Sequence, residues 1–439
     1  MRRKLLLLVL LVPGVAASAQ PRTWSLAECI NYAIENNITV KQSAVNVEQK
    51  DIDLNTAEAR RLPGLSANAS QNWSFGRGLT ADNTYENANT SNSYLSLGAD
   101  VPLFNGFQIS NSIKMARLDL KAAASDLERV KDDIRVAVAE AYLKILYSKE
   151  IAAVADSQVE IDAQQVDRLV AMAATGKASA AEVAAQKASL AQSQLTATQA
   201  YNDLNIALLD LTQLLELEHP EGFDVAIPSV DAFQIKLLRK PEDVYERAIE
   251  IKPVIKSEEI RLEYAAQGIE LAKGAFYPSL SLSGGLGTNY YTQSSRQSAS
   301  FGEQMKNNFS QNLGLTLSIP IFSRFSTRNN VRSAKLNLAN QELQLQNTKK
   351  SLYKEIQQLY YSAVAAQDKY KSCIFAKDSA EESFALMRAK YENGKAGITE
   401  FNESKNNLMR AESDLVQAQY EYLFQTRMLD FYSGEELVL

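Results

Sequence analysis

The chain has 439 residues, 46% of them hydrophobic and 22% charged, a globular rather than disordered composition. Its formal charge of −6 gives no support for nucleic-acid binding. No mature stretch holds 18 apolar residues in a row, which excludes a membrane-spanning helix, so any entry into a membrane must be by β-strands.

The first 19 residues read as a secretory signal peptide. Arg2-Arg3-Lys4 is a basic start, Leu5 to Val12 an apolar run, and Ala17-Ser18-Ala19 a small-x-small cleavage site. The mature chain is expected to start at Gln20, and losing those three basic residues takes the charge from −6 to −9. That acidity suits a protein that repels anions or attracts cations. No Cys follows the cleavage site, so no lipid anchor is expected there. Cys29 and Cys373 are expected as two buried thiols, with a disulfide as the alternative in an oxidising compartment.

Trp24-Ser25-Leu26-Ala27-Glu28 opens the first helix, Ser25 as N-cap and Glu28 as its capping-box partner. Asn36-Asn37 ends it. Helical periodicity resumes at Val40 and runs to about Arg61, stopped by Pro63. The period then changes to two. Leu65, Ala67 and Ala69 alternate with Ser66, Asn68 and Ser70; after a polar loop over 81–92, Leu95, Leu97, Ala99, Val101 and Leu103 alternate again. This is a β-hairpin with one apolar face. Little else in the chain reads as strand, so no second layer covers that face, and an apolar-out barrel wall fits better.

From about Ile109 to Ala173 runs one helical pattern without Pro or Gly, roughly 97 Å long at 1.5 Å per residue. A turn follows at Ala174-Thr175-Gly176-Lys177-Ala178. The return helix, about 179–215, carries a heptad seam of Val183, Leu190, Ala197, Leu204 and Leu211. It is too short to cover the outgoing helix, so the helix over 40–61 is expected to stack on its end. Residues 217–240 then break the pattern, and the whole plan repeats. The opening helix recurs at an offset of 215 (Val244, Ala248, Ile249), as does the strand start Tyr277-Pro278-Ser279-Leu280-Ser281. A loop three residues longer shifts the offset to 218. Pro320 then matches Pro102, and Asn393-Gly394-Lys395-Ala396 matches the first turn. Phe401, Leu408, Leu415, Tyr422 and Leu429 match the first seam. This is a duplicated half-molecule. The expected divisions are 1–19 signal peptide, 20–216 first repeat with hairpin 64–104 and helical hairpin 109–215, 217–240 linker, and 241–439 second repeat. The second repeat holds hairpin 279–322 and helical hairpin 327–432.

Four strands cannot close a barrel, and an open edge cannot sit in lipid, so several chains must share one. Three would give twelve strands; two or four are also physically allowed. Here the chain resembles the TolC-like outer-membrane efflux proteins. The resemblance rests on the Trp24-Ser25-Leu26 helix, the two Pro-x-Leu-Ser strand starts, Val101-Pro102-Leu103-Phe104 with Ile319-Pro320-Ile321-Phe322, and the paired Gly-Lys-Ala turns. It implies a mainly α chain of long coiled-coil hairpins with four β-strands, forming a homotrimeric α/β-barrel tunnel in outer-membrane lipid. It also implies docking to a periplasmic adaptor and an inner-membrane pump, without a cofactor. The resemblance further implies docking tips at Gly176, Lys177, Ala178, Gly394, Lys395 and Ala396, and a periplasmic constriction at Glu182, Glu400 and Glu403. Tyr391 matches a position that latches the closed state, but the usual basic partner falls at Ala396, so that latch is absent or built differently. Spacing alone reads the three glutamates as solvated first-turn acids, favourable at a helix N-terminus.

Enzymatic chemistry lacks material. His219 is the single histidine, which leaves no Ser-His, Cys-His or multi-His metal site. The Gly-Lys turns lack the upstream Gly and following Ser/Thr of a phosphate loop. Gly284-Gly285-Leu286-Gly287 relieves crowding in a strand, and Trp73, Phe75, Tyr290 and Tyr291 read as membrane-interface aromatics or as hairpin packing. The rival readings are a channel for type I protein secretion and a pore-less periplasmic coiled-coil scaffold. Within the channel reading small-molecule efflux is expected, since a metal cargo has no His cluster behind it.

Overall fold

The computed structural model describes residues 23–79, 83–218, 222–228, 233–235, 237–294 and 296–437. The signal segment and His219 lie outside the described residues. Contacts divide the chain into two compact units, one of residues up to 41, 131–248 and 354 onward, the other of 42–130 and 249–353. The two long helices contribute to both.

The first unit begins with β1 (Thr23–Trp24) and α1 (Leu26–Asn36). Ser25 and Glu28 form the expected capping box: the Glu28 carboxylate accepts the Ser25 N–H at 2.9 Å, and the Ser25 hydroxyl accepts the Glu28 N–H at 3.3 Å. Cys29, Ile30 and Ala33 face the core. Cys29 and Cys373 are both free; Cys29 is buried, Cys373 only half-buried. Asn37 ends α1, and α2 (Ile38–Ala59) starts at once.

The long helix α3 (Gln108–Ala174) and its return α4 (Ala180–Leu214) match the expected bounds within two residues. The expected stacking of α2 on α4 is present: the Asn37 side-chain amide donates to the Leu214 carbonyl at 3.0 Å, and the Ile38 N–H reaches the Glu216 carboxylate at 3.4 Å. Along α3, Asp210 of α4 meets Lys144 at 3.0 Å. In the second repeat, α8 (Ser326–Glu392) and α9 (Ile398–Tyr432) repeat the arrangement, with Lys369 on Glu421 at 2.8 Å. Half of the positions in the two heptad seams are in the core, Ala197, Leu211, Phe401, Tyr422 and Leu429, while Val183, Leu190, Leu204, Leu408 and Leu415 are half-buried. Beside each runs a second row of small or amide side chains, Gln186, Ser193, Ala200 and Ala207 in α4. Ser404 and Ala418 are their mates in α9, 218 positions on. Small residues there let helices approach closely.

The inter-repeat segment is tied into this unit. β6 (Asp224–Val225) pairs in parallel with β1. The buried Tyr142 hydroxyl lies 2.6 Å from the Ala226 carbonyl and 3.0 Å from that of Trp24. The Tyr422 hydroxyl donates to the Gln234 carbonyl at 3.3 Å, and Phe233 packs edge-on against Tyr420. Tyrosines from both repeats thus satisfy the Ala226 and Gln234 carbonyls of this segment. Helix α5 (Pro241–Ile251) buries Val244 and Ala248, the repeat mates of the α1 face.

The second unit carries the sheet. Along α3, Lys50 of α2 meets Asp119 at 2.8 Å; α6 (Pro253–Gly274) meets α8 through Glu259–Lys349 at 3.2 Å. Strands β2 (Gly64–Ser74), β5 (Thr90–Asn105), β7 (Ser279–Gln293) and β8 (Ser310–Ser318) form one antiparallel sheet in the order β2-β5-β7-β8. Directly paired residues share a face. The register therefore aligns Leu65, Ala99, Gly284 and Leu313 across all four strands, and Val101, Leu282 and Leu315 across three. On the other face stand Ser66, Gly98, Gly285 and Asn312. The apolar face is open: Leu65, Leu313 and Leu315 are 72%, 79% and 64% exposed. Gly285 has the role expected of it, since a Cβ there would sit 2.6 Å from the Asn312 side-chain oxygen.

Two loop features differ from expectation. Within the loop expected over 81–92 the chain completes a small hairpin of β3 (Arg77–Leu79) and β4 (Tyr85–Asn87), with the Arg77 guanidinium 5.8 Å above the Tyr85 ring. The longer loop of the second repeat folds into a helix, α7 (Phe301–Asn307). β8 ends at the level of Gly287, which would leave the upper part of β7 unpaired on that side. α7 covers it. Gln304 accepts the Tyr291 N–H and donates to its carbonyl, both at 2.9 Å, and Asn308 donates to the Asn289 carbonyl at 2.8 Å. One glutamine amide thereby replaces a strand residue at an otherwise open edge. Tyr290 packs against Phe301 at 5.1 Å, while Trp73 and Phe75 stay exposed.

Candidate functional site

The site grows from the two helix turns. Gly176 takes φ +73° and Gly394 φ +69°, the left-handed region that glycine enters without strain. Each ends its helix in a Schellman pair: Lys177 N–H to the Met172 carbonyl at 2.9 Å with Gly176 N–H to Ala173 at 3.0 Å, and Lys395 N–H to Lys390 at 2.8 Å with Gly394 N–H to Tyr391 at 3.0 Å. Identical geometry from nearly identical sequence follows from the duplication. Lys177 and Lys395 are exposed, Ala178 and Ala396 half-buried, and no atom lies within 4 Å of a Cβ built on either glycine.

Each return helix then starts on a carboxylate. Glu182 accepts the Ser179 N–H at 2.7 Å and its hydroxyl at 2.9 Å; Glu400 accepts the Gly397 N–H at 3.0 Å. The backbone and hydroxyl hydrogen bonds from Ser179 hold the Glu182 carboxyl below the usual carboxylate range. Glu403 is exposed on the next turn. Glu182 and Glu400 therefore cap their helices from the first turn.

Tyr391 stacks on the fully buried Phe401 of α9, ring centroids 4.8 Å apart. Its other partner comes from the first hairpin. The Arg168 guanidinium of α3 lies 5.3 Å over the Tyr391 ring, 3.8 Å from the Glu392 carboxylate and 3.3 Å from the Glu392 carbonyl. Burial raises the Tyr391 hydroxyl pKa, Arg168 works against that and Glu182 adds to it, so the phenol stays neutral. Arg168 is thus the cation beside Tyr391.

The model of the outer membrane efflux protein family matches residues 29–216 and 244–435, most of the chain. The chain belongs to that family. It is 22% identical over 414 residues to the outer membrane protein TolC of Escherichia coli, covering 91% of this chain and 80% of TolC. Among solved structures, CusC superposes with a TM-score of 0.78 at 18% identity, covering 96% of this chain and 95% of CusC. A membrane protein from Pseudomonas aeruginosa superposes with a TM-score of 0.76 at 20% identity, covering 93% and 92%.

In this efflux protein a second polar cluster, absent from the sequence reading, lies behind the tips. Asp162 of α3 and Lys405 of α9 are 1% and 2% exposed and form an ion pair. The Asp162 carboxylate also accepts from Gln186 of α4 at 2.8 Å, from Gln158 at 3.2 Å and from Ser189 at 3.4 Å. Lys405 reaches the Ser189 hydroxyl at 3.4 Å, and Asn402 donates to Gln186 at 3.1 Å. One helix hairpin thus supplies an anion and the other a cation, with amides filling the remaining sites.

The two clusters differ in strength. The Arg168 clasp is a partly exposed cation–π contact, an ion pair at 3.8 Å and a hydrogen bond to a carbonyl, together about 1–3 kcal/mol. Parting a buried pair strands both charges and costs about 3–5 kcal/mol. A signal for the buried pair exists in the repeat. The mate of Lys405 is Lys187, which is exposed, and the mate of Asp162 is Ala380, so the pair occurs once per chain. Among the described residues no group of three or more His, Cys, Asp or Glu could hold a metal ion.

Proposed function

We propose that this chain is the outer-membrane exit duct of a tripartite efflux assembly. Three copies share one twelve-stranded barrel, and their helical hairpins form a tunnel in the periplasm that docks to an adaptor and an inner-membrane pump. The observation that carries this reading is the sheet: Leu65, Ala99, Gly284 and Leu313 line up across all four strands on a face that stands open, and strands β2 and β8 at its ends have no further strand partner among the described residues. Lipid can cover such a face, and further copies can complete such edges.

The Gly176 and Gly394 turns are the far end of the tunnel, with Lys177 and Lys395 offered to the adaptor. Glu182, Glu400 and Glu403 place negative charge at its mouth. The cargo class is small molecules. Deleting the gene and testing susceptibility to a panel of drugs and dyes, with export restored from a plasmid, tests the function. Unchanged susceptibility together with a purified protein that forms no ion-conducting pore would refute it.

A further inference from the structure

We infer that the buried Asp162–Lys405 pair is a fixed pivot between the two helical hairpins of each protomer, and that the tip opens only on its far side. The inference rests on the reading of the Gly176 and Gly394 turns as the tunnel's closed end. Asp162 lies 14 positions before Gly176 and Lys405 11 after Gly394, so the pair sits about 15–20 Å behind the turns at 1.5 Å per residue.

Three helices meet there. Asp162 comes from α3, Gln186 and Ser189 from α4, Lys405 and Asn402 from α9, and Asp162, Gln186 and Lys405 are each no more than 2% exposed. A slide of one hairpin past the other by a single helical turn, about 5.4 Å, would carry both charges off their partners while still shielded from water. No opposite charge stands one turn away on either helix: the neighbours of Asp162 there are Gln158, Val159, Gln165 and Val166, and those of Lys405 are Phe401, Asn402, Leu408 and Met409. The repeat mates of the pair, Ala380 and the exposed Lys187, do not provide a second copy of it. Nearer the turns the contacts are of another kind. Arg168, Tyr391 and Glu392 are partly exposed, and water can take over their polar bonds when they part. Motion is therefore cheap on the far side of the pair and blocked at it.

Spin-label distances separate this from sliding of whole hairpins. In full-length protein with Cys373→Ser, one label pair is placed at the level of the ion pair (Glu160→Cys and Asn406→Cys) and another at the turns (Thr175→Cys and Asn393→Cys). All four sites are exposed. Distances are read in the parent and after release of the clasp by Arg168→Ala with Tyr391→Ala, with planar-bilayer conductance recorded on the same preparations. The expected result is a rise in conductance, a 175–393 distance that grows by several ångströms and a 160–406 distance that does not move. A 160–406 distance that grows with the other overturns the pivot and leaves the channel standing. No change in either distance or in conductance overturns the clasp and the pivot together. Preparations that never conduct refute the channel reading itself.

Discussion

Breaking the Asp162–Lys405 pair one side at a time tests its energetics. Lys405→Met removes the ammonium and leaves a buried carboxylate, but Gln186, Gln158 and Ser189 still donate to it at 2.8, 3.2 and 3.4 Å. The loss is expected at the low end for a broken buried pair, about 3 kcal/mol. Asp162→Asn leaves a buried ammonium with the Ser189 hydroxyl at 3.4 Å and one neutral amide oxygen, so its loss is expected to be larger, about 4–5 kcal/mol. The double variant strands no charge and should cost about 1 kcal/mol, a coupling of several kcal/mol. Guanidinium unfolding of the detergent-solubilised protein, followed by its helical signal at one fixed protein concentration, reads these as midpoint shifts at unchanged slope. Two single variants that each cost under about 1 kcal/mol, with the double equal to their sum, would put the pair in the class of exposed ion pairs and refute the reasoning.

Alanine at Gly176 or Gly394 meets no neighbour but is forced to a positive φ, costing about 1 kcal/mol at each turn, seen as faster amide exchange over 172–178 or 390–396. Glu400→Gln with Glu403→Gln should lower the cation preference of the pore in planar bilayers; an unchanged reversal potential would remove these residues from the constriction. The pKa of Glu182 is depressed in the folded state, so its capping is in place above the ordinary glutamate pKa and is lost as pH falls through the lower folded value. Exchange protection at the start of α4 should accordingly separate wild type from Glu182→Gln at neutral pH and converge in acid. Gln304→Ala uncovers the β7 edge by removing two backbone bonds of 2.9 Å and should expose the outer loop over 294–309 to proteolysis without altering the helical signal.

Much of this architecture is legible in the sequence because it is periodic. Seven-residue seams, alternating strands and a 218-residue offset each encode local geometry, and the duplication repeats every signal once. The stacking of α2 on α4 followed from helix lengths alone. The short elements depend on tertiary bonds: α7 is seven residues long, its local signal is Ser300 as N-cap with Glu303 three residues on, and it is held by Gln304 and Asn308 against β7. The site divides the same way. The turns and the capping glutamates are written in neighbouring residues, while the Arg168 clasp and the Asp162–Lys405 pair join residues more than 220 positions apart. The resemblance pointed to Ala396 as the place of a missing cation; the structure sets Arg168, from a different helix, over the Tyr391 ring.

The claim that one chain supplies only part of a membrane barrel is tested most directly by native mass spectrometry of the protein extracted from outer membranes in mild detergent. A species of three chains that falls to one chain on heating is the predicted result. A protein recovered as a single chain, or in the soluble periplasmic fraction, would contradict the account.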